Sequence, residues 1–178
     1  AKEASHEVTL VHGPTAESPP PVHKAVAVIS AAEMLAAAEA EFPTCDMLIA
    51  CAAVSDYRPR ERRAGKIARH DTETLTIELV RNPDIVASLA ARRSPRQTVI
   101  GFALESDEAE AGARRKLVEK GLDAIALNSP AAIGAADTEI TVFFCGEREP
   151  ETLRGSKEDV AKRLVAIAER LAEDGKKK

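Results

Sequence analysis

Apolar and polar residues follow two periods along this chain, one typical of buried strands and the other of amphipathic helices. Short continuous apolar runs predict strands that are covered on both faces, and a strictly alternating run predicts a strand with one exposed face. The predicted strands are Glu7–His12, Asp46–Val54, Thr74–Val80 (the alternating run), Thr98–Ala103, Asp123–Asn128 and Glu139–Cys145. The separation of these apolar runs by longer segments with helical periodicity indicates a sheet whose strands are connected by helices.

Helices are predicted between and after these strands, each with its own start or stop signal. The signals are a Ser30–Glu33 capping box, Asn82 as N-cap with Pro83 in the first turn of a helix reaching Arg93, a helix over Asp107–Lys120 closed by Gly121, and a Ser156–Asp159 cap. The last helix has an apolar face formed by Val160, Leu164, Ile167 and Leu171. Each signal satisfies backbone groups that a helix end leaves without partners.

Strands that alternate with helices predict an α/β fold in three layers, with a mostly parallel, Rossmann-like sheet covered by helices on both faces. No internal repeat or break in composition divides the chain, so residues 1–178 are predicted to form one domain with a frayed tail at 176–178. Such sheets bind ligands beyond the carboxyl ends of their strands. The loops to inspect therefore follow Val11, Val54, Ala103 and Asn128.

Composition narrows the classes of function. The 178 residues carry a net charge of −4, 44% are hydrophobic and 30% are charged, which is an ordinary globular balance. Only 3% are aromatic, which disfavours a base-stacking platform for nucleic acid, and no apolar run is long enough to span a membrane. Three cysteines without a Cys-x-x-Cys pair favour a reducing cytoplasm over a disulfide framework or a zinc site.

A basic segment follows the second predicted strand. Between Arg58 and Arg69 there are six cations and one anion, Glu61, in a chain that is acidic overall. The cluster suits a polyphosphate or another anion, and Gly65 beside Lys66 would let the loop bend over a ligand. A solvated basic loop without any ligand explains the same composition.

Other candidate groups each have a structural and a functional interpretation. Asp56 follows a buried strand and is either a turn residue or a ligand for Mg²⁺ or a sugar hydroxyl. The helix start at Asn82–Pro83 is either simple capping or an anion site. Lys116 and Lys120 share one helix face and complement its dipole without needing a function. Phe102 either fills the core or stacks on a base.

Several function classes lack their signatures. The chain has neither a Walker loop nor the Gly-x-Gly-x-x-Gly fingerprint, which disfavours a dinucleotide-dependent oxidoreductase. The four histidines have no ligand spacing, and no cysteine has a nearby histidine in a nucleophile arrangement. Pattern and spacing alone therefore predict an α/β domain with an anion site at the carboxyl edge of its sheet.

Several separated motifs, taken in order, resemble the bacterial phosphopantothenoylcysteine synthetase domain, which is usually fused behind a flavin-dependent decarboxylase. The matching segments are Val8–Pro14, Ala50–Tyr57, Gly65–Ile67, Asn82–Ala87, Gly101–Glu105 and Asn128. Together they cover nearly the whole chain with the spacing of that family. Each segment alone would be a weak signal, and the ordered combination of Ala-Ala-Val-Ser-Asp-Tyr, then Lys-Ile, then Asn-Pro-Asp-Ile-Val-Ala is specific.

The resemblance implies a ligase of coenzyme A biosynthesis that joins 4′-phosphopantothenate to L-cysteine. In that family a nucleoside triphosphate, usually CTP with Mg²⁺, activates the carboxylate as an acyl-cytidylate, and the cysteine amine then displaces CMP. The chemistry depends on a preorganised cationic environment more than on an acid or a base. The resemblance also implies a homodimer, antiparallel strand additions, a mobile flap, and an upstream decarboxylase domain.

The family's functional residues map onto particular positions here. By resemblance, Lys66 is the first lysine of the flap and the expected catalytic residue. The nucleotide is expected to contact Ala50, Cys51, Ala52, Asp56, Lys66, Pro83, Asp84, Ile85, Val86, Phe102, Lys116 and Lys120. Phosphates are expected at the helix start Pro83–Val86, and Asp56 is expected near the ribose or Mg²⁺.

The chain departs from the family pattern in two places. The flap reads Lys66-Ile67-Ala68-Arg69, where the family has lysine at the third and fourth positions. The family also begins with a strand, a loop and an Asn-containing segment that bind phosphopantothenate, and about 40 family residues have no counterpart before Ala1. These departures favour an alternative, a non-catalytic nucleotide- or anion-binding module, and they predict one missing central strand with an exposed apolar sheet edge.

Overall fold

The computed structural model describes residues 1–16, 18–62, 65, 73–104, 109–129 and 136–176. Within these ranges the strands are β1 Thr9–His12, β2 Lys24–Ala27, β3 Met47–Ala50, β4 Tyr57–Pro59, β5 Leu79–Arg81, β6 Thr98–Leu104, β7 Ala124–Asn128, β8 Asp137–Phe144 and β9 Glu151–Ser156. The α-helices are α1 Ala31–Glu41, α2 Ile85–Ala90, α3 Ala109–Glu119 and α4 Lys157–Lys176. Short 3₁₀ turns lie at Lys2–Ala4 and Phe42–Thr44.

A five-stranded sheet with the order β3-β6-β7-β8-β9 forms the centre of the fold. Strands β3, β6 and β7 are parallel, and β8 and β9 are added in antiparallel orientation. Strands β1 and β2 form a separate parallel pair, and β4 and β5 form an antiparallel ribbon. This arrangement confirms the predicted α/β class, with its parallel sheet and antiparallel additions.

Side chains that alternate along the central strands pack into two cores, one on each face of the sheet. Ile100 of β6 packs with α4 residues such as Leu164, whereas its neighbour Val99 packs on the other face with Leu89 of α2 and Leu117 of α3. All five side chains are at least 95% buried. Because the strands are covered on both faces, their sequences are continuous apolar runs, as the pattern predicted.

The predicted apolar face of α4 is confirmed. Val160, Leu164 and Ile167 are buried against the sheet, and Leu171 packs beside them. The helix begins after Ser156, whose Oγ accepts a hydrogen bond from the backbone N–H of Asp159. Ser30 likewise caps α1, with Glu33 completing the predicted box. These caps satisfy N–H groups that would otherwise lack partners.

Several predicted boundaries are wrong. The run Asp46–Val54 forms a strand only over Met47–Ala50, and this strand, β3, lies at an edge of the five-stranded sheet. The alternating segment Thr74–Val80 forms a strand only at its end, in β5. The helix expected from Asn82 to Arg93 is shorter because Asp84, not Asn82, is its N-cap and because α2 ends at Ala90.

Other predictions are partly met or lie outside the described residues. The helix predicted over Asp107–Lys120 is α3, and Gly121 follows it with a φ of +63°, the left-handed conformation that glycine adopts at low cost. Asp107 and the flap residues Lys66, Ala68 and Arg69 lie outside the described ranges. Strands β2, β4 and β9 had no prediction. No helix in the described ranges is long and apolar enough to cross a membrane.

Candidate functional site

A cleft of about 510 Å³ opens at the carboxyl ends of β3 and β6. Its floor includes Ala50 and Ala52 at and just after the end of β3, and Gly101 and Phe102 from β6. Ligands of parallel sheets bind at this edge because the strand ends and the connecting loops leave a crevice there. The cleft therefore lies where the sequence predicted an anion site.

Ten of the twelve residues expected at the nucleotide site line this cleft. They are Ala50, Ala52, Asp56, Pro83, Asp84, Ile85, Val86, Phe102, Lys116 and Lys120. Segments separated by as many as 70 positions in sequence thus share one cavity. A local sequence pattern cannot predict that such distant segments meet, so the structure is needed to show it.

The remaining two expected residues differ from the other ten. Cys51 is exposed and does not line the cleft, although Ala50 and Ala52 on either side of it do. Successive side chains of extended backbone point in opposite directions, so Cys51 faces away when its neighbours face the cavity. Lys66, the expected catalytic residue, lies outside the described residues.

Asp84 and Lys120 form an ion pair in the wall of the cleft. The Lys120 Nζ lies 3.0 Å from Oδ2 of Asp84, while Oδ1 of the same carboxylate accepts a hydrogen bond of 3.0 Å from the backbone N–H of Ala87. Partial burial of the Asp84 carboxyl raises its pKa, but the hydrogen bonds from Ala87 and Lys120 outweigh burial and hold the pKa below its ordinary value. The carboxylate is therefore charged at neutral pH.

The sequence analysis missed a polar clamp that joins two walls of the cleft. Asn82 donates from Nδ2 to the backbone carbonyl of Ser55 at 2.8 Å and from its backbone N–H to the carbonyl of Asp56 at 2.8 Å. Its Oδ1 accepts from Nη1 of Arg58 at 3.1 Å. These bonds fix the Asp56 loop against the segment that leads into α2. Asn82 serves this clamp instead of capping α2.

Charged groups in the cleft include three cations and two carboxylates among the described residues. The cations are Arg81, Lys116 and Lys120, and the carboxylates are Asp56 and Asp84. Arg81 lies over the Tyr57 ring at 6.0 Å from its centroid, and hydrogen bonding to Tyr57 followed by the nearby Asp56 raises the pKa of Arg81. Arg81 is a second residue that the sequence analysis missed, since only its position opposite Tyr57 in the ribbon brings it to the cavity.

The floor of the cleft depends on a close approach at Gly101. A Cβ atom built on Gly101 would lie 2.7 Å from Cδ1 of Leu122, which is 1% exposed. Phe102 is half-buried and packs against the α4 side of the sheet while also lining the cleft. Phe102 therefore fills the core, as one interpretation predicted, and the base-stacking role stays a prediction for the ring surface that lines the cavity.

The chemistry available in this cleft suits an anionic ligand with a flat apolar part. The cations can bind negatively charged oxygens of a ligand, and the floor formed by Ala50 and Phe102 can pack against a ring of the ligand. In the described part of the chain, no three His, Cys, Asp or Glu side chains gather as a metal cluster. A magnesium ion carried by phosphates needs only one or two protein carboxylates, because it retains water ligands.

The sequence is similar to a known protein family and to characterised bacterial proteins. Residues 1–171 match the family model described as DNA/pantothenate metabolism flavoprotein C-terminal domain. The chain is 42% identical over 149 residues to the coenzyme A biosynthesis bifunctional protein CoaBC of Vibrio cholerae serotype O1. That match covers 81% of this chain and 37% of the relative, so the chain spans little more than a third of the relative's length.

Solved structures show the same architecture. The crystal structure of the C-terminal domain of a coenzyme A biosynthesis bifunctional protein CoaBC superposes with a TM-score of 0.71 at 32% identity, covering 94% of this chain and 76% of that one. A Cab2 variant in complex with phosphopantothenate-cysteine superposes with a TM-score of 0.66 at 12% identity, covering 85% of this chain and 53% of that one. The second likeness concerns the fold alone.

Proposed function

Because this chain belongs to the DNA/pantothenate metabolism flavoprotein C-terminal domain family, we propose that it is the ligase domain that joins 4′-phosphopantothenate to L-cysteine in coenzyme A biosynthesis. That membership confirms the resemblance inferred from the motifs. The carrying observation is the convergence on one cleft, at the carboxyl edge of the sheet, of eight residues from the matching motifs together with Lys116 and Lys120. The name of the CoaBC relatives supports a role in the same pathway.

The proposed reaction has two steps that balance without a redox partner. A carboxylate oxygen of 4′-phosphopantothenate attacks the α-phosphorus of CTP, and the bond from that phosphorus to the bridging oxygen breaks to release pyrophosphate. The amine of cysteine then attacks the acyl carbon of the acyl-cytidylate, CMP leaves, and the amine loses a proton to solvent. Both steps develop negative charge on phosphate oxygens, which a fixed cationic site stabilises.

Lys116 and Lys120 are the proposed phosphate contacts among the described residues. Both lie on the same side of α3 and its C-terminal turn, because residues four apart share a helix face, and both line the cleft. Helix α2 has only six residues, and Asp84 already occupies its first turn as N-cap. The lysines, rather than the short helix, therefore carry the electrostatic attraction for a triphosphate in this proposal.

Asp56 is the proposed carboxylate for a magnesium ion that enters with the nucleotide. It lines the cleft, whereas the other lining carboxylate, Asp84, is engaged with Lys120 and the α2 backbone. Magnesium bound to the nucleotide would reduce the charge that the lysines must balance. The proposal for Lys66 as the catalytic flap residue rests on the resemblance of the Gly65-Lys66-Ile67 motif.

The test is product formation by the complete polypeptide encoded by the gene. With CTP, Mg²⁺, 4′-phosphopantothenate and cysteine, we expect CMP, pyrophosphate and the amide product in equal amounts, measured by chromatography and mass spectrometry. Replacement of CTP by ATP or GTP tests nucleotide choice. Absence of the amide and of nucleotide cleavage, in a protein that binds CTP, would favour the alternative of a non-catalytic nucleotide-binding module.

Lys66→Gln separates a catalytic from a binding role for the flap. Because the acyl-cytidylate step develops charge beneath the proposed flap, we expect turnover to fall by about 100-fold or more, with a smaller change in CTP affinity. Arg96→Gln, an exposed cation that belongs neither to the basic segment nor to the cleft lining, is the matched control and should retain most of the turnover. Equal losses of turnover and affinity in Lys66→Gln would assign Lys66 to binding alone.

We also propose that the chain is one domain of a homodimer in the cytoplasm, associated with a flavin-dependent decarboxylase in the complete protein. The curated relatives are bifunctional proteins, and their greater length leaves room for a second activity. Leu75, Ile77 and Leu79 alternate along an extended segment and are about half exposed. An apolar row of this kind favours pairing with a second copy over permanent contact with water.

A further inference from the structure

The Asp84–Lys120 ion pair connects the start of α2 with the end of α3 across the cleft. Lys120 follows the last residue of α3, and its backbone N–H continues the helix with a 3.0 Å bond to the carbonyl of Lys116. Asp84 lies on the opposite element, at the start of α2. Both side chains line the cleft, and their charged atoms lie 3.0 Å apart.

The carboxylate side of this pair is itself fixed. Oδ1 of Asp84 accepts from Ala87 N–H, and the Asp84 backbone carbonyl accepts from both the N–H and the hydroxyl of Ser88, at 2.9 and 2.7 Å. A carboxylate whose first oxygen caps a helix cannot rotate without breaking the cap. Its second oxygen therefore points at Lys120 as a fixed acceptor.

Lysine has a flexible four-carbon stem and an ammonium with three donor protons. One proton directed at Asp84 leaves two for a ligand in the cleft, so the pair does not prevent a phosphate contact. The fixed carboxylate also restricts the stem before the ligand arrives, which lowers the entropy lost on binding. Partial exposure of both side chains, 30% for Lys120 and 46% for Asp84, keeps the pair open to exchange with a ligand.

We propose that Asp84 is a positioning residue that holds the ammonium of Lys120 at the cleft wall, where it meets a phosphate group of the nucleotide. This inference rests on the proposed function for the identity of the ligand. It assigns to the Asp84 side chain a role that is separate from direct contact with the nucleotide. A carboxylate that only repelled phosphates would have the opposite effect on affinity, so the two roles can be separated by experiment.

The first arm of the experiment uses the free protein and needs no ligand. Asp84→Asn retains the oxygen that caps α2 but removes the charge that holds Lys120, so it should unfold within about 4 °C of the parent. NMR relaxation of the Lys120 Cε methylene should show lower order in the variant. The Cε methylene of Lys162, which pairs with Glu3 and Glu158 and does not line the cleft, is the internal control. Unchanged order at Lys120 would overturn the proposal.

The second arm measures affinity for CTP with Mg²⁺, and for pyrophosphate, by calorimetry. Asp84→Asn should bind both ligands about threefold to tenfold more weakly, and Lys120→Ala should also bind them more weakly. The double variant should bind no more weakly than Lys120→Ala alone, because Asp84 acts through that lysine. Tighter binding by Asp84→Asn, or additive losses in the double variant, would overturn the positioning role.

The two arms also separate this inference from the proposed function. A parent protein that binds neither CTP nor pyrophosphate would defeat the proposed function and the phosphate contact with it. In that case the relaxation of Lys120 still decides whether Asp84 fixes the ammonium. A parent that binds CTP with equal order at Lys120 in both proteins would retain the proposed function and overturn the positioning residue.

Discussion

Asp84 uses its two carboxylate oxygens for different purposes. One oxygen caps α2 through Ala87, and the other pairs with Lys120 across the cleft. Since a charged side chain at a helix start interacts favourably with free N–H groups, the ionised form is stabilised twice. The same residue thereby couples the stability of a short helix to the electrostatics of the candidate site.

The lowered pKa of Asp84 predicts a pH-dependent contribution to stability. A carboxyl whose pKa is lower in the folded protein stabilises it above the unfolded value, 3.8, and loses that contribution as pH falls through the lowered pKa. We expect the parent to exceed Asp84→Asn in unfolding free energy by up to about 1 kcal/mol at pH 7.

Urea unfolding of both proteins between pH 7 and about pH 2.5 checks this expectation, since that window spans the carboxyl titration. The difference between the two proteins should be constant above about pH 5 and should shrink progressively as the pH falls below it. A difference that stays the same from pH 7 to about pH 2.5 would contradict the role of the ionised carboxyl.

Individual site residues were predictable where a motif was read with its spacing, and less so where a distant contact decided the role. Asn82 and Asp84 are both suitable N-caps, and Pro83 between them fits either choice locally. The structure uses Asp84 as the cap because Asn82 is bound to Ser55 and Asp56 of another segment. No property of the 82–84 tripeptide contains that information.

At the scale of elements, the floor of the cleft requires that β6 and the segment after α3 approach closely. Gly101 pairs with Ala50 of β3 and with Ile125 of β7, and it lies against the Leu122 side chain. Leu122 belongs to the core on the α3 side of the sheet and is fully buried. A larger residue at 101 must therefore displace part of that core.

Gly101→Ala should destabilise the protein by about 1 to 3 kcal/mol, because the added Cβ overlaps a buried leucine in a well-packed core. Gly13→Ala is the matched control, since nothing lies within 4 Å of a Cβ at that position. We expect the control to change stability by about 0.5 kcal/mol or less in either direction. Equal midpoints of thermal unfolding for the two variants would show that the close approach at Gly101 does not limit packing.

Long apolar or clearly capped elements were predicted from sequence, whereas short paired strands were not. The apolar runs of β6 and β7 and the caps of α1 and α4 carry their own signals. Strand β4 contains Pro59 and β9 contains Gly155, both of which disfavour a strand locally. Strand β4 forms because β5, about 20 residues later, supplies its hydrogen-bonding partners, and β9 forms because it pairs with the preceding strand β8.

Across the whole molecule, the ribbon of β4 and β5 carries an apolar row away from the cleft. Leu79 ends the row in β5, and Ile77 and Leu75 continue it along the extended segment that precedes the strand. Arg60 N–H donates to the Glu78 carbonyl, which extends the pairing of the ribbon by one step. The row is the surface on which the proposed homodimer would form.

Ile77→Asp should convert the proposed dimer into a monomer. Ile77 is 58% exposed in the single chain, so a charge there should cost little folding stability but would be buried without a partner in a dimer. Light scattering after size-exclusion chromatography gives the mass of the parent and the variant, and Glu78→Gln on the alternate side of the segment is the control. A parent with the mass of one chain would contradict the homodimer.

The central claim is that the cleft between the ends of β3 and β6 and the lysines at the end of α3 binds a nucleoside triphosphate. The most direct test is a titration of the isotope-labelled protein with CTP and Mg²⁺, followed by amide NMR. We predict saturable shifts at Ala52, Asp56, Phe102 and Lys120, with none at Lys162 of α4, which does not line the cleft. Absence of saturable shifts, or shifts confined to residues outside the cleft, would contradict the account.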